Sequence, residues 1–328
     1  MAVFGVWRGL GASPFLADIT PRDRDPARIA ATVVGGACVG LVASIACWIL
    51  VLVPYTYLAG VAGKGMQRLG NAALMFEDSH FHDLGIVLVR LIASTATDGA
   101  FPLAFVSLAA VITGRPFLHY LTAAAGGFRW RLLVTGLALS CLVVAPLIFA
   151  ARTGERPPVL GVAPGLAGRL VYAAAAVLLI PSAAAEELMF RGWLMRQLAA
   201  FTRRPTALVF VTGAAFSAAH FDFAPDAFLS RAVMGAGFGY MALRTGGLEL
   251  PIGAHAANNI LFILFIQPFS LGGVGPANSL FMGDVALAAG YVAVTEAIVR
   301  IDILRRWADV GAAELAPVVG MPALMGSG

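Results

Sequence analysis

Three polar groups interrupt the apolar C-terminal half of the chain. The first is Glu186, Glu187 and Arg191 in AAAEELMFRGWL. The second is His220, four residues after Phe216, in AAFSAAHFD, and the third is His255 with Asn258 and Asn259 in PIGAHAANNILF. An ionised side chain at membrane depth costs roughly 2.5–3.5 kcal/mol on insertion scales, so each group marks a functional position unless a partner offsets it. A carboxylate, two imidazoles and a carboxamide brought together can activate water and stabilise an oxyanion, which is what peptide-bond hydrolysis requires.

Helix geometry separates the two glutamates. Residues at i and i+4 share a face, whereas neighbours diverge by roughly 100°, one residue's share of a 3.6-residue turn. Glu187 and Arg191 stand at i, i+4 with the acid on the N-terminal side, the favourable order for an ion pair. Glu186 has Ser182 and Phe190 at the same distances, neither of them a cation. A desolvated carboxylate without a cation holds its proton more tightly than in water, which suits a general base. Phe216 and His220 share one face, as do His255 and Asn259, while Asn258 is turned aside to bond another helix. If the three faces converge, one site holds Glu186, His220, His255 and Asn259. Taken singly, each group also has a structural explanation, since a lone intramembrane histidine serves equally as a bond between helices.

The elements that must carry these residues are transmembrane helices. Of 328 residues 59% are hydrophobic and only 12% charged, with a mean hydropathy of +0.85; soluble domains carry about 25% charged residues. Apolar runs near 30–58, 85–113, 131–150, 168–197, 206–220, 227–243, 249–267 and 281–299 suggest eight helices, a span needing about 20 residues. The all-α fold expected is therefore a polytopic bundle. Its fourth helix is too long for one span and is expected to kink at Pro181. With both termini inside, alternate loops hold fifteen Lys and Arg on the inner side against six on the outer, which favours cytoplasmic termini. Arginine supplies every basic residue except Lys64, a pattern of GC-rich bacterial genomes, so the inner membrane is the expected location.

The chain divides into a cytoplasmic N-terminal segment at 1–28, N-terminal transmembrane helices at 29–160, a catalytic core at 161–300 and a flexible cytoplasmic tail at 301–328. The first 28 residues lack a short apolar core with a cleavage site, so no cleaved signal peptide is expected. Cys38, Cys47 and Cys141 lie in apolar runs without paired spacing and are read as small core residues. GACVG at 36–40 and GAGFG at 235–239 fit close helix packing better than a nucleotide loop. His80 and His82, near Asp78 and Asp83, and also His119, are read as interfacial. Nothing suggests a nucleic-acid partner.

EELMFR at 186–191 resembles an E-E-x-x-x-R signature, FSAAH at 216–220 an F-x-x-x-H signature, and HAANN at 255–259 an H-x-x-x-N signature. In this order on successive apolar helices they resemble the CPBP family of intramembrane proteases. That family includes the CAAX-prenyl endopeptidases and the Abi bacteriocin-immunity proteins. The resemblance covers about 168–270. It implies an intramembrane endopeptidase in which Glu186 activates water and His220 helps to hold it. His255 and Asn259 would stabilise the oxyanion, with Glu187, Arg191 and Phe216 in support. It leaves the cofactor open between none and zinc, for which Glu186, His220 and His255 form a plausible O/N/N set; no H-E-x-x-H is present. The substrate implied is a membrane-associated peptide or protein. Two other classes compete: a non-catalytic immunity or peptide-binding membrane protein, and an ion-coupled transporter, which the lack of an apparent inverted repeat disfavours.

Overall fold

The computed structural model describes residues 2–61, 84–151, 165–265 and 277–317. Every regular element among them is helical. A short helix α1 (Ala2–Gly9) precedes α2 (26–61), which starts where Asp25 accepts from the Ala27 amide at 3.0 Å and Pro26 presets the first turn. α3 (Leu84–Thr113) packs along α2. Then come α4 (Trp130–Ala151), α5 (Gly165–Ala176), α6 (179–199), α7 (207–218), α8 (Pro225–Thr245), α9 (Glu249–Phe265), α10 (Ala277–Arg300) and α11 (Asp302–Trp307).

Each of the eight expected helices has a counterpart, and the fourth is cut in two. The break between α5 and α6 falls at 177–178, because the ring of Pro181 crowds the carbonyl four residues earlier and supplies no amide hydrogen. Thr95 on α3 donates to the Leu178 carbonyl beside the break, at 3.0 Å.

Two helical stretches, Pro26–Val51 and Thr95–Thr113, are long and apolar enough to cross a membrane among the described residues. That is fewer than the eight expected spans. α2 is the most lipid-like surface, with Val34, Val42 and Leu50 each more than 60% exposed. The glycines of GACVG serve close packing as expected: a Cβ on Gly36 or Gly40 would lie within 3 Å of the Phe105 or Phe101 ring.

α9 lies in the middle of the molecule, packed on α4, α6 and α8. One apolar cluster joins α1, α3, α6 and α8 through Val6, Val106, Trp193, Met195 and Leu243; a second joins α4, α8, α9 and α10 through Leu132, Phe238, Leu250 and Tyr291. Both terminal segments dock at one end of these helices. Phe15 and Leu16 are buried, Ser13 donates to the Leu243 carbonyl, and Arg196 donates to the Phe15 carbonyl. The expected flexible tail is different over 302–317. After α11 the chain is anchored by Ala308, Val310 and Ala316, all buried, and Arg244 and Ala316 exchange two main-chain-directed hydrogen bonds. Short apolar side chains between prolines give no periodic signal, so this docking is not visible in composition. Residues 318–328 lie outside the described residues, as do Asp78, His80, His82 and Asp83.

Candidate active site

α6 brings the glutamate doublet to the centre of the bundle. Its middle, Leu188–Leu194, winds as a π-helical turn, a local widening common at functional positions. Glu187 and Arg191 are both completely buried, and Arg191 Nη1 donates to Glu187 Oε1 at 2.9 Å. The second Arg191 nitrogen, Nη2, donates to the Gly235 carbonyl on α8 at 2.7 Å. A Cβ on Gly235 would stand 2.9 Å from that nitrogen and 3.1 Å from the α carbon of Gly213 on α7, so glycine is what lets α8 approach α6 and α7 here.

Aromatic rings enclose the pair. The Arg191 guanidinium lies 4.8 Å from the Phe216 ring centre and 5.5 Å from that of Phe238, where ring faces attract a cation. Phe190 meets Phe216 edge-on.

His255, on α9 and 2% exposed, joins the two glutamates. Its Nδ1–H donates to Glu187 Oε1 at 3.0 Å, which turns Nε2 towards Glu186 Oε2, 3.9 Å away. Phe238 stacks on the imidazole with ring centres 4.9 Å apart, and Phe216 meets it edge-on at 5.6 Å. The two glutamates thus differ as their spacing implies: Glu187 is enclosed and bonded, while the Glu186 side chain is 25% exposed.

His220 and Asn259 stand further out. His220 closes the C-terminal end of α7, where its Nδ1–H donates to the Phe216 carbonyl at 2.9 Å and its ring packs against Phe216. The residue is exposed. Asn259 is one turn beyond His255 and half-buried, and Asn258 Nδ2 reaches its Oδ1 at 3.5 Å. Phe216 is therefore the common neighbour of His220, His255 and Arg191.

Among the described residues, no three His, Cys, Asp or Glu side chains stand close enough to hold a metal ion. Of the possible zinc set, Glu186 and His255 approach within 3.9 Å while His220 stands exposed at the rim, and no step below runs through a metal. Several neighbours of the site carry no motif signal. Phe238 is one apolar residue among many on α8, and the Gly235 carbonyl is visible only as part of a G-x-x-x-G. Asp98 on α3, exposed and within electrostatic range of Glu186, shows in the sequence only as an interruption of an apolar helix.

Residues 167–261 match the family described as Rce1-like, type II CAAX prenyl endopeptidase. This segment is similar to the Rce1-like family. All three motifs fall inside it, and it runs from α5 to two residues past Asn259. The matched family is membrane-embedded, and the likeness extends over 167–261 of this chain. The chain is also similar to the uncharacterized protein YyaK of Bacillus subtilis (strain 168), with 36% identity over 100 residues. That match covers 28% of this chain and 33% of the relative, so the chain spans about a third of the length of the curated protein it matches. No solved structure matches.

Proposed function

We propose that this protein is an intramembrane endopeptidase that hydrolyses a peptide bond in a membrane-associated protein or peptide, with Glu186 activating the attacking water. One observation carries the proposal: among buried aromatic rings, Glu187 is tied to Arg191 and His255 while the Glu186 side chain stays partly exposed beside His255 Nε2. Glu186 takes the proton from water as it attacks the scissile carbonyl. The developing oxyanion receives hydrogen bonds from a protonated His255 Nε2 and from the Asn259 amide one turn away, and Glu186 returns its proton to the leaving amine. His220, at the exposed rim, holds the water on the side facing Glu186. Glu187 and Arg191 act through His255 by fixing which nitrogen points at the substrate.

The setting we propose is a bacterial inner membrane with both termini in the cytoplasm and eight helices spanning the bilayer. Its support is the gathering of Arg24, Arg115, Arg129, Arg196, Arg203 and Arg244 at the same end of the bundle, together with both terminal segments. No metal is needed for this chemistry, and the metal content of the purified active protein tests that point separately.

Replacing Glu186 with Ala in purified protein should lower cleavage of a membrane peptide by about 10²–10⁴-fold, the usual contribution of a general base, with the thermal transition unchanged. Cleavage at the wild-type rate would end this mechanism. If Glu186→Gln kept full function in cells while cleaving nothing in vitro, the protein would be a peptide binder instead. Comparing membrane-protein termini in wild-type and Glu186→Ala cells would identify the substrate.

A further inference from the structure

We propose that the end of the molecule where segments 10–24 and 308–317 dock holds a binding site for an anionic phospholipid, the phosphate among arginines at the start of α2 and an acyl chain in the apolar groove beside it. The proposal rests on the membrane setting above and not on proteolysis.

A cavity of about 550 Å³ opens between the segment 18–28 and the end of α3. Arg22, Arg28, Arg115 and His119 line it, with Asp18 and Asp23 as its acids. Those acids are already engaged. Arg115 holds Asp18 at 2.9 Å and Asp23 at 3.1 Å, and Asp18 also meets Arg196 and, at 3.1 Å, His119. Burial raises the proton affinity of the Asp18 carboxyl, but Arg196, Arg115 and His119 outweigh it and hold the group below its ordinary range. Arg22 has no carboxylate partner among the described residues and is exposed. Arg28 has only Asp25, at 3.8 Å, in a half-exposed pair. Arg22 is thus unpaired among the described residues and Arg28 only loosely held by Asp25, and their planar donors suit phosphate.

A second, apolar groove of about 450 Å³ adjoins the cavity and shares Gly114, Arg115 and Pro116 with it. Ala110, Val111 and Phe117 line it, and Val111 is 77% exposed. Gly114 ends α3 in the left-handed region (φ 67°), and nothing lies within 4 Å of where its Cβ would be, so the two spaces meet without obstruction. Both sit at the ends of the two most apolar helical stretches, Pro26–Val51 and Thr95–Thr113, the level at which headgroups meet a spanning helix. A free phosphate compound would use only the first space. An amphiphile uses both.

The test is phosphatidylglycerol binding to detergent-solubilised protein, by native mass spectrometry and thermal shift, against phosphatidylcholine and inorganic phosphate. Arg22→Gln/Arg28→Gln should weaken phosphatidylglycerol binding about tenfold to thirtyfold, from about 1 kcal/mol per surface arginine. Arg305→Gln/Arg306→Gln, an equal charge loss on α11, should leave it near the wild-type value. Equal loss in both double variants, equal binding of phosphatidylcholine, or full stabilisation by phosphate alone would each overturn the lipid site. Failure of the membrane setting would appear separately, as a monodisperse protein that needs no detergent.

Discussion

Arg129 and Arg191 are both buried and both hold a glutamate, yet they differ in what is left over. Arg129, just before α4, donates through Nε and Nη2 to both oxygens of Glu249 at 3.0 and 2.8 Å. It also reaches Glu314 at 2.8 Å and the Thr245 carbonyl at 2.9 Å. None of its buried atoms lacks a partner. Its guanidinium ties the start of α9, the end of α8 and the C-terminal segment into one joint. Among the described residues Arg191 makes only two bonds, and both Arg191 Nε and Glu187 Oε2 are buried without a hydrogen-bond partner. Aromatic faces and a histidine stand where further polar partners would be. A saturated network is a scaffold; an unsaturated one, in contact with an imidazole aimed at a free carboxylate, keeps its capacity for a reacting group.

Replacing each pair with apolar residues is the most forceful way to break this contrast. Arg191→Met/Glu187→Leu should lower peptide cleavage by about tenfold to a hundredfold, the cost of losing an orienting partner, even though buried pairs often exchange for apolar residues without loss of stability. Arg129→Met/Glu249→Leu should leave cleavage near the wild-type rate. Similar losses in both variants would mean that the two pairs are not different in kind.

Single truncation sharpens the point. Arg129→Ala strands Glu249 in the interior and should cost about 3–5 kcal/mol in thermal or denaturant unfolding. Activity per folded molecule should stay near the wild-type value. Gly235→Ala comes next, with an overpacking cost of about 1–3 kcal/mol. Because its new Cβ presses on Arg191 Nη2, cleavage should fall by more than the stability change accounts for. If Gly235→Ala lost stability alone, the Gly235 carbonyl would be only a packing contact.

The smallest effect concerns acid. Asp18 has a folded-state proton affinity below that of a free aspartate. Its contribution is therefore present above the unfolded value of about 3.9 and is lost as pH falls through the lower folded value. Limited proteolysis of the N-terminal segment should rise only in that acid window, and Asp18→Asn should make its release insensitive to pH there. Activity near neutrality should not follow this group.

The sequence by itself determined the relations within one helix: 3.6-residue periodicity put Glu187 over Arg191, set Glu186 apart, paired Phe216 with His220, and broke the fourth helix near Pro181. It also determined that glycines at 36 and 40 would meet another helix closely. Tertiary structure alone decided which helices face one another. The contact of His255 with Glu187 spans 68 residues, and neither partner's local pattern specifies it. The same holds for Phe238 on the imidazole, for Asp98 near Glu186 and for the anchoring of 302–317 by Arg129 and Arg244. Hydrophobic patterning reports that a face is buried, whereas burial is non-directional, so the identity of the covering face is set only when the whole bundle packs.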